Sequence, residues 1–386
     1  MNADGLAAMS DLLVADFDVL ALPVERVDLA PWKTINESGD EQWHPSAQAL
    51  LWHFQPQSPR RALLLIHYDT VYPPSQEQVQ PVLDSPPNTS SARLRGPGVA
   101  DAKGGIAVIR LAMQAILKFD LAGELGLTVV LNPDEEVGSP ASAALFERLA
   151  PNFEFALVFE PTLPDGSLVA NRKGTANFTA VVRGRSAHAG RNITQGRNAV
   201  VHASKLAIEL DQWNRSRDFL PTSSAQDDLT INVGKINGGG ALNQVPDLAT
   251  LGFNVRVRSP RDVDAVLAQL KEIERRYSSE EGYTCEIHGH FHSPPKCIDE
   301  LAPFDALRKR VATAAALVGR EVRWCDTGGA CDGNKLAALG LPNIDTMGPI
   351  GGNLHSKDEY CEADSLATAA KTVVALIAAE GGRIDE

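Results

Sequence analysis

Seven acidic or imidazole side chains in this sequence are suited to binding metal ions. They are His67, Asp69, Asp101, Glu135, Glu136, Glu160 and His355. Two imidazoles and several carboxylates suit zinc or a similar divalent ion, because nitrogen and oxygen are its usual ligand atoms. One ion needs three or four protein ligands, whereas this set can supply two ions if one carboxylate bridges them. The set is too acidic for a Ser-His-Asp triad, and no G-x-S-x-G sequence accompanies it.

Asp101 lies in a glycine-rich stretch, residues 95–105, that reads RGPGVADAKGG. Such a stretch before an apolar helix is compatible with a phosphate-binding loop or with a loop that holds Asp101 in place. The phosphate loop fails in detail, because Lys103 is followed by Gly104 rather than by Ser or Thr, and an aspartate would face the anion. Glycines allow tight turns and close approach, so we predict that Asp101 is the bridging carboxylate.

The remaining candidates occur in pairs that suggest a division of roles. His67 and Asp69 lie two residues apart and share one side of an extended chain, so Asp69 can hold the ring nitrogen of His67 that does not bind metal. Glu135 and Glu136 are adjacent, and one can bind metal while the other acts as general base toward water. Taken singly, a histidine after a strand or an acidic run in a turn is more often structural.

The positions of these residues relative to apolar stretches favour the functional interpretation. Buried strands are predicted at residues 62–66, 125–131 and 155–159, and each one ends next to candidate residues. Helical segments alternate with the strands, which is typical of an α/β fold with a mainly parallel sheet. In such sheets the site lies beyond the carboxyl ends of the strands. A further apolar stretch, 341–347, leads into the glycine-rich loop that contains His355.

The order of predicted strands and helices changes in residues 174–291. Strands and helices follow there in the order strand, helix, strand, strand, helix, strand, which is the ferredoxin-like arrangement. We therefore predict a catalytic domain formed by residues 1–174 and 293–386, with residues 175–292 inserted as a smaller domain. His288, His290 and His292 alternate along its last strand without accompanying carboxylates, so we interpret them as a solvated strand face rather than a metal site.

The composition of the chain argues against several classes of protein. The net charge of −13 argues against nucleic acid as the main partner. The five cysteines form no C-x-x-C pair, which favours reduced thiols. The N-terminal residues are acidic rather than typical of a signal peptide, and no apolar run is long enough to cross a bilayer. We expect a soluble, cytoplasmic protein.

Eight sequence features together resemble one enzyme family. They are HYDTVYP, GPGVADAKGG, NPDEEVGSP, FEPT, RSAHAG, NQVP, TGGACDG and the late His355. They resemble the dinuclear zinc amidohydrolases of peptidase family 20, which include bacterial glutamate carboxypeptidase, acetylornithine deacetylase and succinyl-diaminopimelate desuccinylase. The motifs follow the family's order from about residue 62 onward, and several are most similar to glutamate carboxypeptidase.

The resemblance implies a role for each metal-site residue. One zinc ion would be held by His67, Asp101 and Glu160, and the other by Asp101, Glu136 and His355. Glu135 would be the general base and Asp69 would orient His67. Two zinc ions per subunit are implied, with cobalt or manganese as substitutes, and the peptide bond between Asp101 and Ala102 is expected to be cis.

The resemblance also implies substrate contacts and a homodimer through residues 175–292. His188 would reach the partner subunit's site and stabilise the oxyanion, Asn243 and Arg256 would bind the substrate, and Gly328 and Gly329 would meet it through their backbone. The expected activity is cleavage of an amide bond next to a carboxylate-bearing amino acid. An N-acyl amino acid deacylase and a non-catalytic metal-dependent binding protein are the alternatives.

Overall fold

The computed structural model describes residues 2–72, 80–85, 92–216, 220, 228–298 and 302–384. Its α-helices are α1 (Ala3–Phe17), α2 (Lys103–Lys118), α3 (Ser142–Leu149), α4 (Ala199–Gln212), α5 (Pro260–Ser279), α6 (Ala302–Leu317), α7 (Asp332–Ala338) and α8 (Ala363–Glu380). Across the described ranges, no helix combines the length and apolar character that spanning a bilayer requires.

Within the described residues, the strands form two main sheets and three small ones. In chain order they are β1 (Val24–Asp28), β2 (Trp32–Ile35), β3 (Glu41–His44), β4 (Gln48–Phe54), β5 (Arg61–His67), β6 (Val82–Asp84), β7 (Arg93–Arg95), β8 (Gly126–Asn132), β9 (Phe155–Val158), β10 (Leu168–Arg172), β11 (Gly174–Arg183), β12 (Leu229–Gly238), β13 (Leu248–Val257), β14 (Thr284–Ser293), β15 (Trp324–Thr327), β16 (Asn343–Ile344), β17 (Gly351–Gly352) and β18 (Tyr360–Glu362).

The central sheet has the order β1-β4-β8-β5-β9-β16. β8, β5, β9 and β16 run parallel, whereas β1 and β4 are antiparallel to their neighbours. Strands β5, β8 and β9 are almost wholly apolar because helices cover both faces of the sheet. Helices α2, α6 and α8 pack on one face, and α3 packs on the other. The carboxyl ends of β5, β8 and β9 therefore open along one edge.

The second main sheet lies between residues 174 and 293 and has the order β12-β13-β11-β14, antiparallel throughout. Helices α4 and α5 cover one of its faces and complete a hydrophobic cluster of their own, in which Phe178 and Phe253 stack with ring centroids 5.4 Å apart. This is the ferredoxin-like order expected from the sequence. The interpretation of residues 175–292 as a separate dimerisation domain stays a prediction.

The predicted fold class, a mainly parallel α/β sheet with a ferredoxin-like insertion, is confirmed. The N-terminal 60 residues add a helix and several strands to the fold. They supply α1, whose Phe17 packs on Trp52 of β4 with ring centroids 4.7 Å apart, and two strands of the central sheet. They also supply the hairpin β2–β3, whose turn contacts the second main sheet through a 2.6 Å ion pair between Glu37 and Lys235.

Candidate active site

The carboxyl edge of the central sheet brings the predicted metal-site residues together. His67 is the last residue of β5, and Glu160 follows β9 after one residue. Beyond β8, the chain forms a single 3-10 turn, Glu135–Val137. The carboxylate of Asp134 fixes the segment after this turn by accepting hydrogen bonds from the backbone amides of Ala141 and Ser142, at 2.8 and 3.1 Å.

Asp101 stands between the two histidines. Its Oδ1 lies 3.0 Å from Nε2 of His67, and its Oδ2 lies 3.1 Å from Nε2 of His355. Each carboxylate oxygen therefore faces a different imidazole, which is the geometry that a carboxylate bridging two cations requires. The Asp101–Ala102 peptide bond is cis, as the resemblance implied. His67 and Asp101 are buried, whereas the side chain of His355 is 53% exposed and borders solvent.

A glutamate accompanies each histidine. Glu160 Oε1 lies 3.8 Å from Nε2 of His67, and Glu136 Oε2 lies 3.4 Å from Nε2 of His355. His67, Asp101 and Glu136 each offer a ligand atom, and these atoms lie within 4.8 Å of one another. The second oxygen of Glu136, Oε1, is buried without a hydrogen-bond partner. A buried polar atom without a partner is costly, so this oxygen fits a site completed by a cation.

Asp69 links the histidine to the glutamate turn. Its Oδ1 lies 3.2 Å from Nδ1 of His67, and its backbone carbonyl oxygen lies 3.1 Å from the same ring nitrogen. The same carboxylate accepts hydrogen bonds from the backbone amides of Glu135 and Glu136, at 3.1 and 3.0 Å. Asp69 thus fixes both the ring of His67 and the turn that carries the two glutamates.

The two histidines and Asp101 favour one another's charged forms. Burial alone would lower the pKa of His67, but the nearby carboxylates of Glu160, Asp101 and Asp69 raise this pKa well above its ordinary value. A hydrogen bond to Asp101 raises the pKa of His355. Burial alone would raise the pKa of Asp101, yet hydrogen bonds from His355 and His67 hold that pKa below its usual range. Asp101 is therefore a carboxylate throughout the physiological pH range.

The three glutamates are driven toward their neutral forms. Burial raises the pKa of Glu135 well above its ordinary value, and burial also raises the pKa of Glu160. Burial and repulsion by Asp101 raise the pKa of Glu136 to about 7. Too many negative charges share a desolvated site, and a cation pair would relieve their repulsion. The donor set and its charge therefore fit two divalent ions.

Glu359 supports the site and was not identified from the sequence. Its carboxylate is fully buried and accepts hydrogen bonds from the backbone amides of Gly98, Ala100 and Asp101, at 3.0, 2.9 and 3.0 Å. The hydroxyl of Tyr72 donates to it at 2.9 Å. Glu359 thus joins the loop that carries His355 to the loop that carries Asp101. The sequence offers one indication of this role, which is that Glu359 is an acidic residue four positions beyond His355.

A second buried group, also not identified from the sequence, stands behind the glutamate turn. Lys335 Nζ donates to Asp332 Oδ1 at 2.9 Å, and Asn132 Nδ2 donates to Asp332 Oδ2 at 2.7 Å. Both charged residues are buried. Burial alone would lower the pKa of Lys335, but Asp332 and Glu135 raise it. A buried ammonium group therefore lies close enough to Glu135 to interact with its charge.

The predicted substrate residues fall into two groups. Arg256 Nη1 donates to the carbonyl of Gly328 at 2.7 Å, and Arg172 Nη1 donates to the carbonyl of Gly329 at 3.3 Å. Burial raises the pKa of Glu160 and the charge of Arg172 opposes that rise, so the Arg172 guanidinium interacts with this metal-site carboxylate.

His188 and Asn243 form the second group. His188 pairs with Gln244 in an isolated bridge, and the carbonyl of Asn243 accepts from the amide of Ala189 at 2.9 Å. Asn243 precedes β13, whereas Arg256 is near its far end. The eight residue steps of β13 from Leu248 to Arg256 alone span about 27 Å, at roughly 3.4 Å per step. One chain therefore does not bring His188 and Asn243 to its own Arg256.

His292 departs from the predicted solvated strand face. Its ring is half-buried against Gly138, where an added Cβ would lie 2.6 Å from His292 Cδ2. Burial, followed by the positive charge of Lys335, lowers the pKa of His292 to about 4. His288 fits the prediction better, because its side chain is 40% exposed beside Glu286.

Comparison with known proteins identifies relatives across most of the chain. The profile described as Peptidase family M20/M25/M40 matches residues 63–379. Carboxypeptidase G2 from Pseudomonas sp. (strain RS-16) is 27% identical over 375 residues, which cover 95% of this chain and 82% of the relative. Succinyl-diaminopimelate desuccinylase from Nitrosospira multiformis is 27% identical over 298 residues, which cover 72% of this chain and 73% of the relative.

Solved structures share the fold. A tripeptidase from Staphylococcus aureus matches with a TM-score of 0.72 and 21% identity, covering 96% of this chain and 92% of its own. A dinuclear metal binding peptidase of the M20 family from Bacillus subtilis matches with a TM-score of 0.64 and 14% identity, covering 100% of this chain and 94% of its own.

Proposed function

The chain belongs to peptidase family M20/M25/M40 and is a hydrolase, and we propose that it cleaves an amide bond next to a carboxylate-bearing amino acid, as a carboxypeptidase of glutamate carboxypeptidase type. The observation that carries this proposal is the position of Asp101 between His67 and His355, with one oxygen toward each. The similarity to the dinuclear metal binding peptidase from Bacillus subtilis and to carboxypeptidase G2 supports the same function.

Two zinc ions are the proposed cofactors, with cobalt or manganese as substitutes. His67, Asp101 and Glu160 would hold one ion, and Asp101, Glu136 and His355 would hold the other. When bound, the ions would polarise the substrate carbonyl and lower the pKa of water, so that a nucleophile is available at neutral pH. The fit rests on the charge of the cluster and on the buried Glu136 Oε1, which has no hydrogen-bond partner.

Glu135 is the proposed proton carrier. Its backbone amide is held by Asp69 at 3.1 Å, so its position relative to His67 is fixed. Burial raises its pKa, which makes it a stronger base once it has lost its proton. It would take a proton from the attacking water and return that proton to the leaving nitrogen, as a general base and then a general acid.

The substrate's carboxylate is proposed to bind Arg256. A guanidinium forms paired, charge-assisted hydrogen bonds with a carboxylate, and Arg256 already donates to the Gly328 carbonyl beside Gly329. His188 and Asn243 would contribute from a second copy of the chain, in a homodimer formed through residues 175–292. His188 would then stabilise the oxyanion, and Asn243 would contact the substrate.

Two alternatives remain distinguishable by experiment. An N-acyl amino acid deacylase would use the same machinery, and the match to succinyl-diaminopimelate desuccinylase supports it. A metal-dependent binding protein would bind the same compounds without cleaving them. We would assay the zinc- or cobalt-loaded protein and its Glu135→Ala variant on a panel of dipeptides and N-acyl amino acids.

The proposal expects hydrolysis by the unmodified protein and a loss of about 100- to 10,000-fold in Glu135→Ala. Metal titration should give two ions for both proteins, because Glu135 is not a proposed ligand. Equal activity in both proteins would contradict the role of Glu135. Binding without cleavage across the whole panel would favour the non-catalytic alternative.

A further inference from the structure

A cavity of about 570 Å³ adjoins the metal cluster on the side of Glu136. Helix α1 forms one wall, with Leu6 and Met9 on the face that it presents to the cavity. Loops after β5 and β8 form the opposite wall, with Val71 and Val137. Residues from the N-terminal helix therefore reach the edge of the catalytic site, although that segment carries none of the metal-site residues.

The cavity wall exposes apolar side chains next to the reacting centre. Val71 is 40% exposed and lies two residues beyond Asp69, while Val137 is 39% exposed and directly follows Glu136. Met9 lies one helical turn after Leu6, on the same side of α1. Binding sites for small molecules are lined largely by apolar side chains together with polar groups that fix orientation, and this cavity has both kinds of residue.

The cavity is connected to the metal cluster through its own lining. Tyr72 lines it, and the hydroxyl of Tyr72 donates to Glu359, the residue that accepts the backbone amide of Asp101. Arg172 donates to the Gly329 carbonyl and interacts with Glu160, and these three residues are not among the described residues that line the cavity. A substrate with its carboxylate near Arg256 would therefore direct its acyl side toward the cavity.

The lining of the cavity favours an apolar occupant over an acidic one. Two carboxylates, Asp69 and Glu136, line the cavity against one ammonium group, Lys103. The ammonium already donates to the carbonyl of Pro97 at 3.1 Å. Among the described lining residues, that ammonium group is the one cation with which a second substrate carboxylate could pair, whereas an apolar chain would bury the exposed valines and Met9.

We propose that this cavity binds an extended apolar acyl group, so that the preferred substrates are N-acyl amino acids or peptides whose acyl side is apolar rather than short or acidic. The inference rests on the proposed function, because it assigns one side of the same substrate.

Matched N-acetyl, N-succinyl and N-octanoyl derivatives of glutamate, alanine and lysine test this assignment. The metal-loaded protein is expected to cleave the octanoyl compounds with the highest kcat/KM. Met9→Trp should fill the cavity and lower the octanoyl-to-acetyl ratio of kcat/KM roughly tenfold. Val71→Asn should lower the ratio in the same direction without disturbing the core. Leu12→Trp, at an exposed position of α1 outside the cavity, is the matched control.

Binding to the Glu135→Gln variant separates failure of this inference from failure of the proposed function. Calorimetry should give tighter binding of N-octanoyl-glutamate than of N-acetyl-glutamate, and adding Met9→Trp should remove the difference. The metal-loaded protein with Glu135 intact could fail to cleave every compound while this difference in binding still holds. In that case the cavity assignment stands and the proposed hydrolysis is wrong. A preference for succinyl compounds, or equal losses for all acyl groups in Met9→Trp, would overturn the assignment.

Discussion

The backbone amide of Asp101 donates a hydrogen bond to the carboxylate of Glu359, at a distance of 3.0 Å from Oε1. Because the same carboxylate accepts the amides of Gly98 and Ala100, the loop before the bridging aspartate has its backbone donors satisfied by one side chain. That side chain is four residues from His355. The two loops that supply the Asp101 and His355 ligands are therefore positioned by a single buried charge.

We expect Glu359→Gln to weaken metal binding. The amide group of glutamine replaces one acceptor oxygen with a donor, so at least one buried backbone N–H loses its partner, at about 1–3 kcal/mol of folding free energy. Support of this kind is worth roughly 10–100-fold in metal affinity. Zinc titration by calorimetry and thermal unfolding with and without chelator measure both effects. Glu362→Gln, at a half-buried residue paired with Arg93 at 3.1 Å, is the control and should retain metal affinity.

Metal binding should strengthen as pH rises through neutrality. Burial and Asp101 raise the pKa of Glu136 to about 7, and the pKa values of Glu135, Glu160, His67 and His355 are also raised. Each of these groups binds protons more tightly in the folded metal-free protein than in the unfolded chain. The stability that they contribute is therefore present at low pH and is lost as pH rises through the raised pKa values.

Thermal unfolding of the metal-free protein between pH 5 and pH 8 measures whether this stability is lost as pH rises. Asp101, whose pKa is lowered, stays ionised over this window and does not alter the trend. The rise in Tm on adding zinc should grow with pH, because metal must displace fewer protons. A zinc-induced rise in Tm that shrinks from pH 5 to pH 8 would contradict the assigned pKa directions.

Lys335→Met should destabilise the fold strongly. It leaves the buried carboxylate of Asp332 without its 2.9 Å partner, and breaking a buried ion pair costs about 3–5 kcal/mol. Adding Asp332→Asn should recover much of that loss, because no unpaired charge remains. Urea unfolding measures both. Lys309→Met, in an exposed pair with Asp305, should change stability by less than about 1 kcal/mol. Equal losses for the two lysines would show that Lys335 is not a buried partner.

Site residues were easiest to predict from the sequence where they directly follow a buried strand. A buried parallel strand must be apolar on both faces, so a polar residue at its end, such as His67 or Glu160, is conspicuous. Glu359 does not follow an apolar strand, so its position does not mark it in this way. Its partners are backbone amides of a loop that is distant in the sequence. Lys335 lies in a short helix, and nothing in its neighbours indicates burial. The role of α1 could not be predicted either, since the face that packs on Trp52 is determined by tertiary contacts.

The separation of His188 from Arg256 leads to a test of the shared active site. His188 and Asn243 lie together before β13, and Arg256 lies near the opposite end of that strand. The proposed substrate site would therefore need groups from two copies of the chain. His188→Ala and Glu135→Ala should each lose most activity as pure dimers. In a mixed dimer, the subunit that carries His188→Ala retains its own Glu135 and receives His188 from its partner, so one of the two sites is intact.

Dissociating and reassociating equal amounts of the two variants makes half of the dimers mixed, and about a quarter of the unmodified activity should return. Size-exclusion chromatography of each variant controls for assembly. If the mixture stays as inactive as its components while the dimers exchange, His188 does not act across the interface.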